Sequence, residues 1–125
     1  MTKLLVVDDE VDLEMLIKQK FRRQIRERKY EFIYAMNGNE ALEKLEQNPD
    51  VDVMLSDINM PGMSGLELLQ YIKQKYAQPP PVVMMITAYG DPENYNRAIS
   101  LGADDFLTKP VDFTILKEKL KLQVK

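Results

Sequence analysis

The sequence predicts an α/β fold: a doubly wound, five-stranded parallel sheet with helices on both faces. Three observations carry this. Short apolar runs recur at residues 4–7, 51–55 and 82–86. Segments with apolar residues three and four apart separate them. The runs end in polar residues followed by turn formers, as at Asp57, where Pro61 and Gly62 follow closely. A continuous apolar run reads as a strand buried on both faces. Strands that alternate with helices make right-handed crossovers and a parallel sheet.

The elements follow in order. Leu4-Leu5-Val6-Val7 is the first strand, ended by Asp8-Asp9-Glu10. One helix is predicted next, with Leu13, Leu16, Ile17, Phe21 and Ile25 at helical spacing. Its first turns are acidic and its last turns basic (Arg22, Arg23, Arg26, Arg28, Lys29), an order that complements the helix dipole. The basic run reads as a solvated helix face rather than a nucleic-acid patch. Residues 30–36 form the second strand, and Asn37-Gly38 turns into a short helix with Ala41, Leu42 and Leu45 inward.

The third strand carries Asp57. Ser64 caps the next helix, with Glu67 three residues on and Leu66, Leu69 and Ile72 on one face. Pro79-Pro80-Pro81 reads as a stiff connector rather than a peptide ligand. Residues 82–86 are the fourth strand, ending at Thr87-Ala88. Gly90-Asp91-Pro92 leads into a helix closed by Gly102. Residues 105–108 are the fifth strand. Asp112 caps a last helix with Phe113, Leu116, Leu120 and Val124 on its inner face. Strands 1, 3 and 4 are the most apolar and belong in the centre, which favours the flavodoxin-like order 2-1-3-4-5. A chain of 125 residues fits one domain, 1–125.

Composition narrows the chemistry. There is no cysteine and no histidine. Disulfides, thiolate zinc sites, imidazole ligands and Ser-His-Asp catalysis are therefore excluded. Any metal must take oxygen ligands, which points to magnesium, calcium or manganese. Seventeen basic residues stand against 20 acidic ones, net −3, so the whole chain has no pull toward nucleic acid or anionic membrane. The apolar run at residues 4–7 is too short for a signal peptide, and nothing approaches a membrane span. A cytoplasmic protein is expected.

In a parallel sheet the carboxyl ends of the strands share one edge, where such sheets bind ligands. Here they carry Asp8 and Asp9, then Asp57, then Thr87, then Lys109. Converging carboxylates repel one another, so at least one folded pKa should be raised, and a hard divalent cation relieves them. Asp57→Asn is accordingly expected to melt higher than wild type without metal. Each residue alone has an ordinary explanation, as a helix cap, a strand residue or a surface lysine. The joint placement does not.

The whole chain resembles a response-regulator receiver domain, similar to the chemotaxis response regulator. The motifs are Val7-Asp8-Asp9-Glu10, residues 56–65 (SDINMPGMSG), Ile86-Thr87-Ala88, Gly102-Ala103-Asp104-Asp105 and Leu107-Thr108-Lys109-Pro110. The resemblance implies a phosphorylation-dependent switch rather than an enzyme. Asp57 would accept a phosphoryl group from a histidine kinase or histidine phosphotransfer protein, with Mg2+ (or Mn2+) held by Asp8, Asp9, Asp57 and the backbone carbonyl of Asn59. Asp8 would act through a water. Lys109 would pair with the phosphoryl group, and Thr87 would move in to hydrogen-bond it. Lys109-Pro110 would be a cis peptide. Phe106 would be the aromatic switch, without the hydroxyl that the family often has there. Asn59 and Tyr89 would tune dephosphorylation. The surface of the fourth helix, fifth strand and fifth helix would control a partner protein or output domain, or form a phosphorylation-dependent homodimer. No direct contact with nucleic acid or membrane is implied. A phosphatase with an aspartyl nucleophile is disfavoured, because Asn59 stands where such enzymes need a second carboxylate. A flavin binder is disfavoured by the acidic edge and the lack of a Gly-rich phosphate loop.

Overall fold

The computed structural model describes residues 1–60, 62–75, 80–88 and 91–123. Pro61, Pro79, Tyr89, Gly90 and Val124 lie outside the described residues. The strands are β1 (Thr2–Val7), β2 (Tyr30–Ala35), β3 (Val53–Asp57), β4 (Val82–Thr87) and β5 (Asp105–Thr108). They form one parallel sheet in the order β2-β1-β3-β4-β5, as the apolar ranking predicts. The helices are α1 (Val11–Lys20), α2 (Arg22–Arg26), α3 (Gly38–Gln47), α4 (Gly65–Lys75), α5 (Pro92–Ser100) and α6 (Phe113–Gln123).

Strand alternation splits the core in two. Leu5, Val7, Met54, Val83 and Met85 face α3 and α4, where Leu45, Leu68, Leu69 and Ile72 close over them. Leu4, Val6, Leu55, Met84 and Ile86 face the other way, against Leu13, Ile17 and Phe21 and against Leu116 and Leu120 of α6. A strand apolar at every position is what this double burial requires.

The first predicted helix is two. Phe21 leaves helical geometry at φ −104°, ψ 16°, and divides α1 from α2. Its ring is fully buried among Tyr30, Phe32 and Phe113, with centroids 5.8, 5.0 and 6.5 Å away. Burying that ring takes precedence over helical continuity at the break. Leu16 and Ile25 stay exposed rather than joining the core. The described residues therefore hold six helices, not five. The predicted helix 4–strand 5–helix 5 surface is α5–β5–α6. The third strand also starts later than expected and runs through to the acceptor candidate, so Asp57 is its last residue.

Four helix starts are held by side-chain caps: Asn37 accepts from the Glu40 N–H (2.8 Å), Ser64 from Glu67 (3.2 Å), Asp91 from Asn94 (3.3 Å) and Asp112 from Thr114 (2.9 Å). Each such cap is worth about 1 kcal/mol. Gly102 closes α5 at φ 96°, and the Ala103 N–H donates back to the Ala98 carbonyl at 3.0 Å. No helix among the described residues is long and apolar enough to cross a membrane.

Candidate functional site

Register sets the site. Val7 pairs with Ser56, Asp57 with Ile86, and Thr87 with Thr108. The residues just beyond these pairs stay tied to the sheet. The Asp8 N–H donates to the Ala35 carbonyl (3.1 Å), Ile58 to Ile86 (3.1 Å) and Lys109 to Thr87 (2.9 Å). Asp8, Asp57 and Lys109 thus start from a rigid edge, not from free loops.

Asp57 is buried, at 2% exposure. Its Oδ2 accepts from Lys109 Nζ at 2.6 Å, and its Oδ1 accepts from the Asn59 N–H at 3.2 Å. Lys109 also reaches Glu10 at 3.4 Å. Burial works against the Lys109 charge. The hydrogen bond to Asp57 and the fields of Asp57, Asp8 and Glu10 outweigh it and hold its pKa above the usual lysine value. The Lys109–Pro110 peptide is cis.

Asp8 has no direct ion pair among the described residues. It is 7% exposed, and among them it accepts only the Glu10 N–H, at 2.8 Å. Burial pushes its carboxyl up to about 6, with the Asp57 charge adding to the rise; the Glu10 hydrogen bond and Lys109 offset part of it. A raised carboxylate is thus present, but its main cause is desolvation rather than the like-charge repulsion expected from sequence.

Carboxylate oxygens of Asp8, Asp9 and Glu10 lie within 4.8 Å of one another. An all-oxygen donor set beside a buried, underpaired carboxylate fits a hard divalent cation. Asp57 is turned onto Lys109 and lies outside that trio, while the exposed Glu10 lies inside it. Sequence reasoning gave Glu10 no role. Its motif position was visible, but its reach to Lys109 depends on a partner 99 residues away.

Thr87 is buried at 4% exposure. Among the described residues its hydroxyl bonds neither Asp57 nor Lys109. Thr87 and Phe106 line one cavity of about 260 Å3 with Tyr95, Ile115 and Lys119. Tyr95 meets Phe106 at 4.4 Å between ring centroids. It is a second site residue that the sequence did not single out; only its position on the α5 face hinted at it. Asn59 is exposed beside Asp57, and Tyr89 lies outside the described residues.

Comparisons with known proteins give the family and the fold. The family model described as the response regulator receiver domain matches residues 4–121. The response regulator protein PilR of Pseudomonas aeruginosa is 44% identical over 116 residues, which cover 93% of this chain and 24% of PilR. The chain therefore spans about a quarter of that relative. The chemotaxis protein CheY1 of Helicobacter pylori is 35% identical, and the match covers 96% of this chain and 94% of CheY1. Among solved structures, the response regulator TrrA of Thermotoga maritima in complex with Mg(2+)-BeF is 35% identical with a TM-score of 0.80. It covers 99% of this chain and 100% of TrrA.

Proposed function

The chain belongs to the family of response regulator receiver domains, and on that premise we propose that it is a switch phosphorylated on Asp57. The observation that carries this reading is the 2.6 Å contact of Lys109 Nζ with a buried strand-end carboxylate. The acid that it pairs is the one that the family motif assigns as acceptor. The phosphoryl donor is a histidine of a histidine kinase or histidine phosphotransfer protein, as in the family; this chain has no histidine of its own.

An Asp57 oxygen attacks phosphorus. The bond from phosphorus to the donor imidazole nitrogen breaks, and its electron pair stays on the imidazole, which takes up a proton. Lys109, held charged by its acidic neighbours, then passes from the carboxylate to the phosphoryl oxygens. Asp8, Asp9, Asp57 and the Asn59 carbonyl would hold Mg2+ or Mn2+, with Glu10 close by. The ion supplies charge neutralisation for the incoming phosphate. The Mg(2+)-BeF of TrrA supports a divalent ion as the partner of such a site.

The test is direct. Acetyl phosphate with magnesium should add one phosphoryl group, read by intact mass, and Asp57→Asn should abolish the addition. Modification persisting in that variant assigns the acceptor elsewhere and overturns the reading.

The output is the α5–β5–α6 surface, where Tyr95, Ile99 and Ile115 are exposed. Its targets are a partner protein, an output domain or a second copy in a phosphorylation-dependent homodimer, in the cytoplasm. Direct nucleic-acid and membrane binding form no part of the switch. Thr87 couples the site to this surface through the cavity it shares with Phe106 and Tyr95. Thr87→Ala should still take up phosphate. Amide shifts on α5, β5 and α6 on adding beryllofluoride should shrink strongly in that variant; shifts equal to wild type count against the coupling.

A further inference from the structure

The basic run that the switch does not use lines a groove of about 710 Å3 between α1–α2 and the outer edge strand β2. One wall carries Lys18, Arg22, Arg26 and Arg28; the other carries Tyr30, Phe32 and Tyr34. Glu31 is the one carboxylate among the lining residues, and it is shared with Lys3 at 3.9 Å. Four cations against one acid is a strong local excess in a chain of net charge −3.

The three arginines have no ion pair among the described residues, although neighbouring charges do: Arg23 with Glu27, Lys29 with Glu27, Lys18 with Glu14. Arg28 adds a second observation. It sits at φ 58°, the left-handed position after a helix end, where the Lys29 N–H donates back to the Gln24 carbonyl at 2.8 Å. Glycine suits that position and arginine strains it. The strained backbone sets an arginine on the rim of the groove. Opposite, the Phe32 and Tyr34 ring planes lie within 19° of parallel, and Lys18 Nζ is 5.5 Å from the Tyr34 ring centre.

We propose that this groove binds a nucleotide, with the base against the aromatic wall of β2 and the phosphates on the arginines of α2 and Arg28. An inorganic anion has no use for the aromatic wall, and an apolar ligand would leave three guanidinium groups facing it. Arginine forks onto phosphate oxygens, and flat rings stack on tyrosine and phenylalanine faces. The volume falls in the range of small-ligand sites, roughly 300–1,000 Å3. The acidic remainder of the chain disfavours a long polyanion.

The experiment is an amide-spectrum titration of the full chain with ATP in EDTA, so that the metal-free acids at the strand ends repel phosphate. Saturable shifts confined to residues 18–34 are expected, with pyrophosphate and adenosine each at least about ten-fold weaker than ATP. Arg26→Ala and Arg28→Gly should each weaken ATP about five-fold or more. Arg28→Gly should at the same time raise the melting temperature, because glycine relieves the left-handed strain. A variant that melts higher and binds less ATP cannot be explained by damage to the fold. No saturation by about 10 mM ATP overturns the proposal. So does pyrophosphate binding as tightly as ATP, which marks a plain counter-ion patch. Oligothymidylate binding tighter than ATP with a steep salt dependence would make the groove a nucleic-acid surface, and also overturns it.

Discussion

Gly65→Ala is expected to lower the melting temperature by about 10 °C or more and to impair phosphoryl uptake at Asp57. Gly65 opens α4 directly against the acceptor strand, and its N–H donates to the Ile58 carbonyl at 2.7 Å. An added Cβ would collide with the Asp57 carbonyl oxygen and stand 2.7 Å from Ile58 Cα and 2.9 Å from the Asp57 carbonyl carbon. All three are backbone atoms, so no rotamer change clears the space. The helix cannot lift away cheaply either, because Leu66, Leu68, Leu69 and Ile72 are buried beneath it. Overpacking against fixed backbone costs about 3 kcal/mol, and the displaced strand end carries the acceptor. Gly38→Ala is the milder comparison. Its Cβ would come within 2.8 Å of Met63 Cβ, Cγ and Sδ; the outer two atoms can swing aside, but Met63 Cβ moves only with its backbone. That variant should melt below wild type, by less than Gly65→Ala. If Gly65→Ala melts within about 2 °C of wild type and takes up phosphate normally, the close approach of α4 does not fix the site.

Much of this architecture was legible from residue types because the signals were local. Fully apolar strands, caps at Ser64 and Asp112, turns at Asn37 and Asp91, and polar residues at strand ends each depend on a few neighbours in sequence. The misses share the opposite property. Phe21 breaks the first helix because three rings from distant segments make a pocket for it. Glu10 joins the site because Lys109 arrives from the far end of the chain. Tyr95 matters because Phe106 packs on it across β5. The close approach of Gly65 is likewise invisible in sequence, where SGLELL reads only as a helix start. Charge pattern alone also does not say which acid carries the unfavourable charge: all the strand-end aspartates look alike until Lys109 is seen to hydrogen-bond Asp57 and to act on Asp8 only from a distance.

That distinction gives the second large effect. Without metal, Asp8 rather than Asp57 is the residue whose neutralisation should stabilise the fold. The Asp8 carboxyl titrates near 6 when folded, against 3.8 when unfolded, chiefly because it is buried. Between those values the folded state binds the extra proton. Stability in EDTA should therefore fall as pH rises from about 4 through 6, and then level off. The full penalty above the folded pKa is on the order of 1–3 kcal/mol. Asp8→Asn removes it while keeping an oxygen to accept the Glu10 N–H, now at 2.8 Å. The variant should melt several degrees above wild type in EDTA near neutral pH, and its profile should flatten between about pH 4 and 6. Asp57→Asn should gain less than the sequence expectation, because it strips Lys109 of its 2.6 Å partner as it removes a charge. Magnesium should reverse the ranking. It stabilises wild type by mass action, on the order of a few kcal/mol at about 100-fold excess over Kd, and stabilises Asp8→Asn less. Melting curves with EDTA and with magnesium, taken across pH, read all of this. An Asp8→Asn variant that melts below wild type in EDTA, or a wild-type profile flat between about pH 4 and 6, would mean that Asp8 carries no unfavourable charge in the folded protein.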